Sequence, residues 1–203
     1  MTQLVVGLGT GRCGTHSLAY LLNSQHRADV RHERAPYLRW HNETDPLRHF
    51  SAIPPTALFG DVGFYYLKYV QQIWDTHPQV KFACLVRQRE QTIASFVRHM
   101  HATAAHANWF QASGRRNYWD DAFPSFPGEL SLADAVGRYW DEYYAEALRL
   151  AVYGQFEVFD MNNLNSTHGV KRILAFCEVA KPWKVVFPQL DSRVAPDVIA
   201  EAK

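Results

Sequence analysis

A chain of 203 residues, 47% hydrophobic and 20% charged, carries enough apolar content for one sizeable core, which excludes a disordered or fibrous polypeptide and points to one α/β domain over residues 1–203. A formal net charge of +1 gives no general attraction to nucleic acid or an acidic membrane, so any bound anion must be held by local charge. Cys13, Cys84 and Cys177 are odd in number and far apart, which argues against a disulfide framework or a zinc knuckle.

The first strand, Leu4-Val5-Val6, begins within a few residues of Met1 with no signal peptide ahead of it, and no apolar run reaches the length of a membrane span. The expectation is a soluble, cytoplasmic protein. Gly7, Gly9, Gly11 and Gly14 follow, and then Leu18, Leu21 and Leu22 recur at helical spacing. In such a strand, glycine loop and helix, the backbone turns tightly, its N–H groups point into one concavity, and the helix N-terminus adds partial positive charge. Arg12 brings a fixed cation, Thr15 and Ser17 bring hydroxyls, and Cys13 fills a position that suits a small residue. A phosphate or sulfate fits there.

Three glycine-rich loops compete for this stretch. The nucleoside-triphosphatase loop finds its spacing in Gly9 and Gly14, but Thr15 and His16 stand where lysine and a hydroxyl belong. The dinucleotide fingerprint finds Gly9, Gly11 and Gly14, yet no acidic residue ends a clear second strand about 20 residues on. The order Arg12-Cys13-Gly14-Thr15-His16 resembles the 5′-phosphosulfate loop of the sulfotransferases that use 3′-phosphoadenosine 5′-phosphosulfate. That resemblance assigns Gly11, Arg12, Cys13, Gly14, Thr15, His16 and Ser17 to the cofactor.

Ala28-Asp29-Val30 reads as a second strand whose exit carries Arg31, His32, Glu33 and Arg34. Chemistry in open parallel sheets collects at the carboxyl ends of strands. Relatives place a glutamate at this point as general base, so the resemblance implies Glu33 in that role, with His32 as runner-up. An ion pair of Glu33 with Arg31 or Arg34 is the competing expectation. Residues 37–56 read as a loop with one helical turn. Residues 58–63 read as a third strand, followed by a helix with Tyr66, Leu67, Val70, Ile73 and Trp74 on its buried side. Asp61 is a third candidate base, with capping of that helix as its more ordinary role.

The strand Phe82-Ala83-Cys84-Leu85-Val86 leads to Arg87 and, eight residues later, Ser95, in a helix whose buried side is read as Ile93, Ala94, Phe96, Val97 and Met100. The pair is similar to the family's 3′-phosphate site, in which an arginine and a serine grip the group that distinguishes this cofactor from ATP. Residues 99–130 read as an inserted lid over an acceptor; His99, His101 and His106 there lack the spacing and cysteine partners of a metal site. Ser131 and Asp134 open a long helix with a start that resembles a capping box, and Leu132, Val136, Tyr139, Trp140, Tyr143, Ala147 and Leu150 form its core stripe. A strand over 156–159, an acidic turn and a helix with Val170, Ile173, Leu174 and Cys177 complete the pattern. The Arg-Lys-Gly segment that covers the cofactor in cytosolic relatives is missing after Trp183, where Lys184 or Arg193 is the candidate substitute.

The resemblance implies a three-layer α/β fold, a central parallel sheet flanked by helices as in P-loop proteins. It implies sulfuryl transfer to an acceptor hydroxyl or amine on a small molecule, carbohydrate or peptide, with Arg12 stabilising the leaving phosphate. No metal is required, because Arg12 and Arg87 neutralise the anion, and no nucleic acid is involved. The alternatives are a non-catalytic phosphoadenosine or phosphate-ligand binder and, third, a nucleotide kinase.

Overall fold

Five parallel strands form one sheet in the order β2-β3-β1-β4-β5: β1 Gln3–Leu8, β2 Ala28–His32, β3 Leu58–Val62, β4 Lys81–Val86 and β5 Phe156–Asp160. The computed structural model describes residues 2–41, 43–102, 110, 122–126 and 131–187. Alternation along the strands sorts the core into two halves. Leu4, Val6 and Leu8 of β1 and Phe82 and Cys84 of β4 join one apolar cluster, whereas Val5, Ala83 and Leu85 join the other. Helices α1 (Thr15–Asn23) and α5 (Thr167–Phe176) cover the second cluster, and α2 (Val70–Thr76), α3 (Arg89–Ala102) and α4 (Leu132–Leu150) cover the first. The expected three-layer α/β fold is therefore the observed one. Among the described residues no helix is long and apolar enough to cross a membrane.

After β1 the chain crosses to β3's side of the sheet, and β4 then returns to β1's other edge, so the loop after β1 lies at the switch point, where open α/β sheets bind ligands. Close contact sets the strand spacing there. A Cβ on Gly7 would stand 2.5 Å from a Val62 methyl, and one on Gly60 would stand 2.0 Å from the Val5 carbonyl oxygen. The Ser131 N-cap is present: its hydroxyl accepts from the Asp134 N–H at 3.1 Å and donates to the Asp134 carboxylate at 2.6 Å, so the Asp134 side chain meets the Ser131 hydroxyl, not its N–H as in a full capping box.

Several elements differ from expectation. β2 runs on to His32 because its pairing with β3 continues through Arg31 opposite Asp61 and His32 opposite Val62. The helix after β3 begins as a 3-10 segment, Phe64–Tyr69, whose Phe64, Tyr65, Tyr66, Leu67 and Tyr69 are all buried, and only then becomes α2. The buried edge of α3 is Thr92, Ser95, Phe96 and Met100, with Ala94 exposed; that spacing of three to four residues is the true helical stripe. Residues 99–102 belong to α3, and most of the proposed lid lies outside the described residues, as does Arg193. Lys184 does not close a cofactor pocket. Its backbone is held by the Gln25 side chain at 2.8 and 3.0 Å, past the C-terminal end of α1 and therefore at the opposite end of that helix from the glycine loop.

Gly60→Ala is expected to force β1 and β3 apart and to destabilise the protein by about 3 kcal/mol, or roughly 10 °C in the thermal midpoint, measured by calorimetric melting.

Candidate active site

The loop after β1 is built from left-handed backbone. Gly9, Gly11 and Gly14 have φ of 145°, 81° and 97°, and Arg12 has 55°. At Gly9 a Cβ would also meet the Cys13 sulfur at 2.4 Å and the Leu85 carbonyl oxygen at 2.9 Å, so this position accepts glycine alone. Gly14 caps α1 with no side-chain hydrogen bond, which leaves the first-turn N–H groups of α1 directed at the cleft. Two tyrosines of α4 brace the loop from behind. The Tyr143 hydroxyl accepts from the Gly9 N–H at 2.9 Å and donates to the Phe64 carbonyl at 3.1 Å, and the Tyr144 hydroxyl donates to the Leu85 carbonyl at 2.8 Å.

A cleft of about 400 Å³ opens over this loop, lined by Gly11, Arg12, Gly14, Thr15, His16, His32, Glu33 and Arg87 together with Phe64, Phe96, His99, Phe123 and Met161. The structure thus brings both predicted motifs and the β2 exit to one place. Arg87 follows β4; its Nη1 donates to the Arg12 carbonyl at 3.1 Å and its Nε to Gln91 at 3.2 Å. Ser95 does not line the cleft but is buried beneath it, its hydroxyl accepting from Arg12 Nε at 3.3 Å. Cys13 is fully buried, and burial raises its thiol pKa, so it packs the loop and offers no thiolate. Ser17 is half-buried on α1 and is not among the lining residues. The Arg12 pKa is lowered by burial, then by the charges of Arg87 and Arg98.

At the exit of β2 two titratable groups are driven to opposite states. His32 shares a 3.1 Å hydrogen bond between its Nε2 and the Thr15 hydroxyl and meets the His16 ring edge-on at 5.3 Å. Burial, and then His16, pushes its pKa down to about 4, so it is neutral at pH 7. Burial, and then Asp61, pushes the Glu33 carboxyl up to about 7. No ion pair to a neighbouring arginine opposes this. Arg31 and Arg34 both pair with Asp29, at 3.3 and 3.6 Å, and the nearest ion-pairing group to Glu33 among the described residues is His32 Nε2 at 3.9 Å, on an imidazole that is neutral at pH 7. Asp61 does not cap the following 3-10 segment, whose N-cap is Gly63 without a side-chain bond. It is fully buried and does not line the cleft.

Of the cleft's apolar wall the sequence offered only Phe123, within the segment read as a lid; Phe64, Phe96 and Met161 were not read as part of the site. Phe64 and Phe123 stack with ring centroids 4.1 Å apart, and Met161 packs 3.1 Å from where a Gly14 Cβ would be.

In fold the chain is similar to a solved structure, a sulfotransferase from Alicyclobacillus acidocaldarius, with a TM-score of 0.56 at 16% identity over 95% of this chain and 89% of that one. No family model and no curated protein matches the chain. At this identity the likeness is one of fold, and the chemistry has to be argued from the cleft.

A carboxyl whose folded pKa of about 7 exceeds its ordinary 4.5 keeps its proton in the native state after the unfolded chain has released it, so Glu33 lowers stability progressively as pH rises from about 4.5 to 7. Glu33→Gln is expected to equal the wild type in stability below that window and to exceed it by about 3 kcal/mol above it, read from urea melts across pH.

Proposed function

We propose that the protein is a sulfotransferase that moves the sulfuryl group of 3′-phosphoadenosine 5′-phosphosulfate to a hydroxyl or amine of a small-molecule, carbohydrate or peptide acceptor. The observation that carries the reading is the convergence in one cleft of an open helix N-terminus, two arginines and a carboxyl with a pKa of about 7. The fold likeness to a sulfotransferase supports it.

The residues present suit such a donor. The loop and the first turn of α1 offer N–H groups to the 5′-phosphosulfate, and Arg12 stands beside them with its charge intact at neutral pH. Arg87, with Ser95 below, is the candidate grip for the 3′-phosphate. The donor supplies the sulfuryl group and leaves as the 3′,5′-bisphosphate. In the transfer a bond forms between the acceptor oxygen or nitrogen and sulfur, the sulfur–oxygen bond to phosphate breaks, and its electron pair stays on the phosphate. Arg12 and the loop N–H groups stabilise that charge. Glu33, half ionised near pH 7, takes the acceptor's proton, which a base with a pKa close to the working pH does most effectively. His32, with a pKa of about 4, is the weaker base and serves to orient Thr15.

A nucleotide kinase fits less well. Thr15 occupies the lysine position with its hydroxyl turned to His32, and the Asp61 carboxylate at the end of β3 is taken up by the Arg34 N–H and the Tyr66 hydroxyl. A carboxyl with a pKa near the working pH is what a general base needs, which favours catalysis over simple ligand binding.

Calorimetric titration distinguishes these readings. Wild type is expected to bind 3′-phosphoadenosine 5′-phosphate in preference to ADP and ATP-magnesium, and Arg87→Ala to weaken that binding by roughly tenfold or more, the worth of one charged hydrogen bond. Binding of ATP-magnesium without binding of the 3′-phosphorylated nucleotide would falsify the proposal. With an acceptor in hand, Arg12→Ala is expected to slow turnover by roughly 100-fold or more, as loss of an oxyanion donor does, measured by initial rates.

A further inference from the structure

Glu33 leaves β2 with a φ of 50°, a left-handed conformation that a residue with a long side chain keeps only when its neighbours hold it. Two bonds flank it. The Glu33 N–H donates to the Val62 carbonyl at 2.9 Å, and the Arg34 N–H is received by both carboxylate oxygens of Asp61, at 3.1 and 3.3 Å. Asp61 is in turn fixed from behind. The Tyr66 hydroxyl donates to its Oδ2 at 2.7 Å, and Tyr65 approaches the same oxygen at 3.5 Å. His49 Nδ1 lies 2.6 Å from the Tyr66 oxygen; because the one hydroxyl proton of Tyr66 is committed to Asp61, the proton of this second bond belongs to His49. Neither Asp61, Tyr66 nor His49 lines the cleft.

We propose that Asp61 is the positioning residue of the site: its buried carboxylate, braced by Tyr66 and His49, clamps the turn at Glu33 and Arg34 and so holds the Glu33 carboxyl over the cleft. The inference rests on Glu33 being the base. An aspartate suits the task better than an asparagine, since both of its oxygens accept and every group around it donates. Its charge also acts on Glu33 directly. The ionisable groups that face Glu33 are His32, Asp61, Tyr65 and Tyr139; those that face Asp61 are Arg34, Tyr65, Tyr66 and, at 3.9 Å, His49. Of these, Asp61 is the one whose negative charge opposes ionisation of Glu33 at neutral pH.

The test follows the Glu33 side-chain carboxyl by NMR in protein labelled with carbon-13 glutamate, the signal being assigned by its loss in Glu33→Gln. The wild type is expected to titrate near pH 7. In Asp61→Asn the midpoint should fall by roughly one pH unit, and exchange of the Arg34 amide should rise roughly tenfold as the clamp loosens. Tyr66→Phe, a milder change that carries the test if Asp61→Asn does not fold, raises the Asp61 pKa by removing its nearest donor and should move the Glu33 midpoint down by a smaller amount. Titration of 3′-phosphoadenosine 5′-phosphate should give affinities within about twofold of wild type in both variants, as neither residue reaches the cleft. An unchanged Glu33 midpoint together with unchanged Arg34 exchange in the folded variants would overturn the proposal. Shifted midpoints in a protein that does not bind the nucleotide would instead leave the clamp standing and reject the sulfotransferase reading.

Discussion

The molecule depends on a stretch of backbone that side chains cannot enter. Between β1 and α1 the chain must reverse within a few residues, yet keep its N–H groups pointing outward at the switch point of the sheet. It does so with left-handed backbone at Gly9, Gly11, Arg12 and Gly14. Such a loop has little hydrophobic content of its own, so its shape is imposed from outside. Tyr143 takes the Gly9 N–H from below, Cys13 fills the space that the missing Gly9 side chain leaves, and Met161 closes against Gly14. The long helix α4 therefore does more than cover the sheet. Its tyrosine hydroxyls satisfy backbone groups that would otherwise be buried unpaired beneath the cleft.

A second economy concerns charge. Burial drives His32 and Glu33 toward their neutral forms, from opposite sides of neutrality, so near pH 7 the permanent charges facing the cleft are those of Arg12 and Arg87. A site for a multiply charged anion gains from this, because an ionised carboxylate among the arginines would compete with the ligand for them. Glu33 escapes that competition by sitting against Asp61 and the tyrosines, and away from a guanidinium, while Asp29 absorbs Arg31 and Arg34.

Much of this was legible in the sequence, and what was not has a common cause. The strand, loop and helix over residues 4–22 and the Ser131 cap are local patterns, fixed by glycine, by side-chain periodicity or by a hydrogen bond spanning three residues, and each stands where the residues place it; of the Arg87 and Ser95 pair, Arg87 reaches the cleft while Ser95 lies buried beneath it against Arg12. Glu33 was legible as a candidate from its place at a strand end, but its freedom from Arg31 and Arg34 was not, because that follows from the tertiary placement in which Asp29 takes both guanidinium groups. The role of Asp61 was misread for the same reason. A carboxylate near a helix start suggests a cap, and only the tertiary arrangement reveals that its donors come from Arg34 and Tyr66. The Phe64 and Phe123 wall joins segments nearly sixty residues apart, beyond the reach of any periodicity.

The arginines of the cleft are held in an arrangement that the folded protein alone does not favour. Arg12 lies within the influence of Arg87 and Arg98, and both this repulsion and partial burial lower its pKa. Among the described residues, the bonds that Arg12 and Arg87 make go to neutral acceptors: Ser95, Gln91 and the Arg12 carbonyl. Neutral acceptors fix the direction of a guanidinium without cancelling its charge. Like charges held together in this way destabilise the fold, a repulsion that an anion bound between them would relieve. A surface whose arginines were purely structural would pair them with carboxylates, as this protein does at Arg89 with Asp141 and at Arg149 with Glu146. Among the described residues the contrast within one chain is between arginines paired with carboxylates on the outer helices and arginines held by neutral acceptors over the glycine loop.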